Sequence, residues 1–269
     1  MGRDSEAYMP AELVLRVLAS AGPDVVLVGG QALAFWMDRF GVRQPGGLPA
    51  VSRDVDFFTR DAANSAPLHA FAEAIRGQAR VLPPEAITAL IGSAIAPAGD
   101  DLVYNVDLLH AVVGLSRDEI ERNAVLAKVT GVHHPVRIMH PLHVLQSRNA
   151  NLHQLREKRD DLGRLQFGLA IEVARRFLEL EIDRIDGEHA HSNAARERAV
   201  LNLVRVVSDY SAEAPAKKNA ERHGLFLADA IPASRITSPA FWARQWPRLS
   251  ARMSSAYAGT CKRQARKSP

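Results

Sequence analysis

At 269 residues, with 47% apolar and 24% charged residues, the chain has the composition of an ordinary folded protein and the length for one large domain or two modest ones. A single cysteine, Cys261, excludes an internal disulfide and any cysteine-based metal cluster; no apolar run approaches a membrane span, and the start MetGlyArgAspSerGluAlaTyr has no apolar signal core, so the expected setting is the reducing cytoplasm. The net charge of +4 is unevenly spread: residues 1–138 carry 12 Lys and Arg against 16 Asp and Glu, leaving 22 against 14 for the rest. An acidic front half suits a metal site, and a basic back half suits either a polyanionic acceptor such as RNA or a plain solvated helical surface.

The first predicted element is a helix over 10–20, opened by Pro10 at its first position, with Leu13, Val14, Val17 and Leu18 on one stripe packed under a sheet. AlaGlyProAsp (21–24) breaks it. ValValLeuVal (25–28) reads as a fully buried strand that runs into Gly29-Gly30 and then a strongly apolar helix over 31–40. A Gly/Pro loop follows (41–50), whose Gly46-Gly47 pair precedes no helix and reads as a rim. SerArgAspValAspPhePhe (52–58) is the next strand, and its period of two puts Asp54 and Asp56 on one face with Val55 and Phe57 inward.

Residues 62–77 make a helix with Leu68, Phe71, Ala72 and Ile75 inward, and 80–82 and 87–95 are candidate strands. The strand over 101–111 holds Asp107 inside an apolar run, where an unpaired carboxylate is costly, so it has a cationic partner or is a metal ligand. Tyr104 and Asn105 read as packing and strand-edge residues. A short helix at 116–122 and strands near 125–138 complete the sheet, with a domain boundary at MetHisPro (139–141). His133, His134, His140 and His143 do not read as ligands, because neighbouring imidazoles on a strand point apart and Pro141 interrupts the His-x-x-His pair.

From Pro141 the chain reads as helical, with long amphipathic helices over 164–183 and 191–209. PheTrpAlaArgGlnTrpPro (241–247) interleaves aromatic and basic residues, as a base-stacking surface does, although Trp at helical spacing is also a core pattern. The tail from Cys261 has four cations and no acid and reads as a disordered basic arm. The expected architecture is therefore α/β (α+β): a mixed sheet flanked by helices over 1–138, an all-helical domain over 139–260, and the basic tail 261–269.

Two carboxylates held parallel repel each other unless a cation sits between them, and Mg²⁺ takes oxygen ligands while leaving room for phosphate. The Gly29-Gly30 turn offers backbone N–H groups at a helix start to a phosphate, with Gln31 placed to face a nucleotide. These residues resemble the DNA polymerase beta-like nucleotidyltransferases: a hydrophobic strand ending in Gly-Gly, a helix, an Asp-x-Asp strand and a later third acid. The nearest likeness is to the abortive-infection nucleotidyltransferase toxins, carried by GlyGlnAlaLeu after Gly29 and by SerArgAspValAsp.

The resemblance implies two Mg²⁺ ions on Asp54, Asp56 and Asp107 as metal-binding and catalytic residues, and NTP phosphates on Gly29 and Gly30. It implies transfer of a nucleoside monophosphate to an acceptor hydroxyl, an RNA acceptor with the 3′ end of a tRNA as the toxin-like case, and an antitoxin protein as partner. The family's Lys position falls on or near Arg148, and LysArgAspAsp (158–161) resembles its basic stretch, which gives Lys158 and Asp161 nucleotide-contact roles. Arg for Lys keeps the charge but not the tunable proton. The same stretch also reads as an ion-paired helix face. The alternatives are a non-catalytic module that binds RNA or a partner protein, and a small-molecule transferase of the antibiotic-modifying kind.

Overall fold

The computed structural model describes residues 6–44, 52–189 and 192–253. Gly46 and Gly47 and the basic tail lie outside them. The chain divides into two units, Met1–Arg39 with Arg43–Ser147, and Phe40–Val42 with Arg148–Pro269. The division thus falls inside a helix that begins at Pro141, not ahead of it.

The first unit is a seven-stranded mixed sheet flanked by helices. In chain order it runs α1 (Ala11–Ser20), β1 (Val25–Val28), α2 (Gly29–Phe40), β2 (Val55–Thr59), α3 (Ala66–Ile75), β3 (Gln78–Val81), β4 (Leu90–Gly99), β5 (Leu102–Leu109), α4 (Arg117–Asn123), β6 (Val125–Ala127) and β7 (Val136–Ile138), followed by α5 (Pro141–Gln154), whose residues from Arg148 onward belong to the second unit. The strand order is β3-β4-β5-β2-β1-β7-β6, parallel for β5 with β2 and β1 with β7 and antiparallel elsewhere. All four residues of β1 are buried, as a strand with neighbours on both edges and cover on both faces requires.

Several boundaries differ from expectation for local reasons. Pro10 stands one place ahead of α1 as its N-cap, with extended ψ, and its carbonyl accepts from the N–H groups of Leu13 and Val14. On α1, Leu13, Val17 and Leu18 are buried but Val14 is only half-buried. The strand expected from 87 starts at Leu90 and continues through Gly99, where Asp100 and Asp101, both at positive φ, turn the chain tightly into β5. Phe57 stacks on Phe71 of α3 with ring centroids 4.5 Å apart, and Leu68, Phe71, Ala72 and Ile75 are all buried. Helix α3 therefore covers the Phe57 face of the sheet.

The second unit is helical: α6 (Asp161–Glu188), α7 (Asn193–Ala212), α8 (Ala214–His223) and α9 (Trp246–Ser250), with short turns between α8 and α9. Side-chain caps from Asp160 and Ser192 set the starts of α6 and α7. Its interior is tied by polar links as well as apolar ones: Asn219, fully buried on α8, donates to the backbone and side-chain oxygens of Asn149, and Arg175 donates to the Asp229 carbonyl. The aromatic stretch at 241–247 packs on itself, with Trp242 and Trp246 5.1 Å apart, Phe241 and Trp246 buried, and the Trp242 indole donating to the Ile236 carbonyl. Phe241 and Trp246 belong to the core, and Trp242 is half-buried beside them. Among the described residues no helix is long and apolar enough to cross a membrane.

Candidate functional site

The ladder between strands fixes the site. Val28 pairs with Asp56, Asp56 with Asp107 across the parallel β2–β5 edge, and Asp107 with Ser93 on β4. Directly paired residues present their side chains to the same face. Since Phe57 faces α3, Asp56 and Asp107 stand side by side on the opposite face. Asp54 lies in a bend one residue ahead of β2, not in the strand as the period of two suggests. It nevertheless converges with the others: one carboxylate oxygen from each of Asp54, Asp56 and Asp107 lies within 4.8 Å of the other two, and all three residues are half-buried.

Neutral donors hold this arrangement. The Ser52 hydroxyl donates to Oδ1 of Asp54 at 2.6 Å, and the Ser93 hydroxyl and the Asn105 amide donate to Oδ1 of Asp107 at 2.5 and 3.0 Å. Such contacts orient carboxylates without neutralising them. Asn105 is only 8% exposed, and its Oδ1 is buried with no hydrogen-bond partner among the described residues. The three converging carboxylate oxygens are an all-oxygen donor set, rich in negative charge, that could hold a metal ion.

The two glycines serve a purpose the sequence did not disclose. Gly29 sits at φ +68°, and a Cβ there would lie 1.8 Å from Oδ2 of Asp56; a Cβ on Gly30 would lie 2.3 Å from Oγ of Ser52. The start of α2 is thus pressed against Asp56 and the Ser52 loop, and only backbone without side chains fits. Gln31 is half-buried in the first turn of α2.

No family model matches the chain. No curated protein matches it either.

The remaining predicted contacts lie in the helical unit, where each has a local partner. Arg148 is 5% exposed and donates to Oε1 of Gln166 at 3.0 Å, a packing role for a residue expected to meet a nucleotide. Lys158 ends a short helical turn, and its carbonyl packs so closely on Gly163 that a Cβ there would overlap it. Asp161 is ion-paired with Arg164 in the first turn of α6, its side chain 90% exposed. The histidines hold no metal geometry: among the described residues the only group of ligand type that converges is the Asp triad. His140 is pushed down to about 4 by burial and then by its neighbour His143, whose ring lies 5.6 Å away, and burial lowers His143 against the pull of Glu119.

From the sequence alone, Ser52 and Ser93 have no role at the site and Asn105 reads as a packing or strand-edge residue. Asn105 precedes Asp107 by two, so the strand period alone puts it on the same face. Ser93 depends on the β4–β5 register, which leaves no local mark.

Proposed function

We propose that the first unit is a metal-dependent nucleotidyltransferase that moves a nucleoside monophosphate from an NTP to an acceptor hydroxyl, with the 3′ end of an RNA as the acceptor. What carries this is the convergence of Asp54, Asp56 and Asp107 within 4.8 Å beside a helix start stripped of side chains at Gly29 and Gly30. The three carboxylates would hold two Mg²⁺ ions, which supply Lewis-acid polarisation of the phosphoryl group and lower the pKa of the attacking hydroxyl.

The chain's own groups have distinct tasks. Backbone N–H groups at the start of α2 receive the β and γ phosphates of the NTP, where helix dipole and unpaired donors favour anions. Asp107, oriented by Ser93 and Asn105, accepts the proton of the acceptor hydroxyl. The acceptor oxygen then forms its bond to the α phosphorus, the bond to the bridging β oxygen breaks, and pyrophosphate leaves. Ser52 holds Asp54 in register for this geometry.

The test is incubation of the protein with each labelled NTP, Mg²⁺ and total cellular RNA, alongside Asp56→Asn. This variant keeps the size and hydrogen-bonding capacity of the side chain, so thermal stability should hold or rise as carboxylate repulsion is relieved, while label transfer falls by several orders of magnitude. Undiminished transfer in a folded Asp56→Asn protein removes that residue from the mechanism. Absence of transfer from every NTP in the parent protein removes the proposed activity.

A further inference from the structure

The row that carries the carboxylates does not stop at Ser93. Ser93 pairs with Arg80 on β3, so Asp56, Asp107, Ser93 and Arg80 follow one another across four strands on one face. The Ser93 hydroxyl, bonded to Asp107, fixes which face this is. Leu68 of α3 lies behind the row, against the other side of Gly92, so α3 leaves the Arg80 face uncovered. Arg80 is exposed and its guanidinium makes no ion pair among the described residues. Two strand spacings of ~4.8 Å separate it from Asp107.

We propose that Arg80 is an anion subsite for the acceptor, binding a phosphate of a nucleic-acid chain whose terminal hydroxyl lies at Asp107. The subsite rests on the nucleotidyltransferase function proposed above and narrows its substrate class. On one flank of the carboxylates stands the helix start at Gly29; on the other stands the Arg80 guanidinium, a planar donor fork suited to phosphate. A reaction that joins two phosphate-bearing substrates needs an anion site on each side of its metal carboxylates. An acceptor without a phosphate, such as a neutral sugar, needs only the first. Gln78, two residues before Arg80 on the same face and also exposed, adds a neutral donor along the same path.

The full-length protein is tested with a short single-stranded RNA bearing a free 3′ hydroxyl, its binding followed by fluorescence anisotropy with Mg²⁺ present. Arg80→Gln should weaken RNA binding roughly tenfold, as loss of a charged hydrogen bond does, and reduce the slope of log affinity against log salt by about one. The KM for RNA should rise in proportion while the KM for NTP and kcat stay put. Arg16→Gln, on the exposed side of α1, is the charge control and should change none of these. Unchanged RNA affinity in Arg80→Gln overturns the subsite, as does an effect that falls on the KM for NTP, or a parent protein that binds no RNA. Should the parent bind RNA through Arg80 and yet transfer nothing, the catalytic function falls and the subsite stands.

Discussion

Asp54 with Asp56, and Asp160 with Asp161, are both close acidic pairs in sequence, yet the two regions dispose of their charge in opposite ways. At the start of α6 each carboxylate is spent locally: Asp160 accepts from the Gly163 N–H as the helix cap, and Asp161 pairs with Arg164. At the sheet, strand pairing adds Asp107 to Asp56, and the groups that hold Asp54 and Asp107 in place, two hydroxyls and an amide, bring no positive charge. Carboxylates that cap a helix or meet an arginine need nothing further. Those gathered by a rigid strand ladder could hold a metal ion between them, and this contrast, more than the count of acids, separates a candidate site from a stabilised helix end.

The strongest way to break the contrast is to disturb the backbone under Asp56. Gly29 and Gly41 have nearly the same left-handed φ, +68° and +66°, but a Cβ at Gly41 meets nothing within 4 Å, whereas at Gly29 it overlaps the Asp56 carboxylate. Gly41→Ala should therefore cost only the conformational strain, about 1 kcal/mol. Gly29→Ala adds a steric conflict and should cost about 3 kcal/mol in chemical unfolding. In an Asp56→Ala background the Gly29→Ala cost should shrink toward that at Gly41. Equal losses at both glycines in the parent protein would show that Asp56 does not press on α2.

Much of this was legible because it is local. The apolar run 25–28 is β1 to the residue, and an aspartate inside the apolar strand 102–109 marks Asp107 as a group that needs a reason. The pattern failed where tertiary pairing decides. Asp54 leaves the strand because Ser52 holds it in the bend, Ser93 enters through the β4–β5 register, and Gly29 and Gly30 are explained by what lies across from them. Arg148 is placed at the nucleotide only by the family resemblance, and that says nothing of the packing on α5 that buries it against Gln166.

Smaller effects sharpen the other half of the contrast. Asp160→Ala removes the α6 cap and leaves the Gly163 N–H without its acceptor, so stability should drop by about 1 kcal/mol. Transfer activity should be unaffected once the protein is folded.

The smallest expected effect lies at Asp161. Its carboxylate is almost fully exposed and the Arg164 partner is half-exposed, so water and salt screen the pair, and the gain in Coulomb energy is offset by the entropy of holding two side chains together. Asp161 also sits in the first turn of α6, where a negative charge favours the helix dipole, a contribution of similar size that salt also weakens. Asp161→Asn should thus lower stability by no more than about 0.5 kcal/mol at low salt, and the loss should vanish near 1 M salt, where the screening length is about 3 Å. Binding of each NTP should be the same in variant and parent if Asp161 does only this. A selective loss of NTP affinity, with stability unchanged, would instead return Asp161 to the nucleotide.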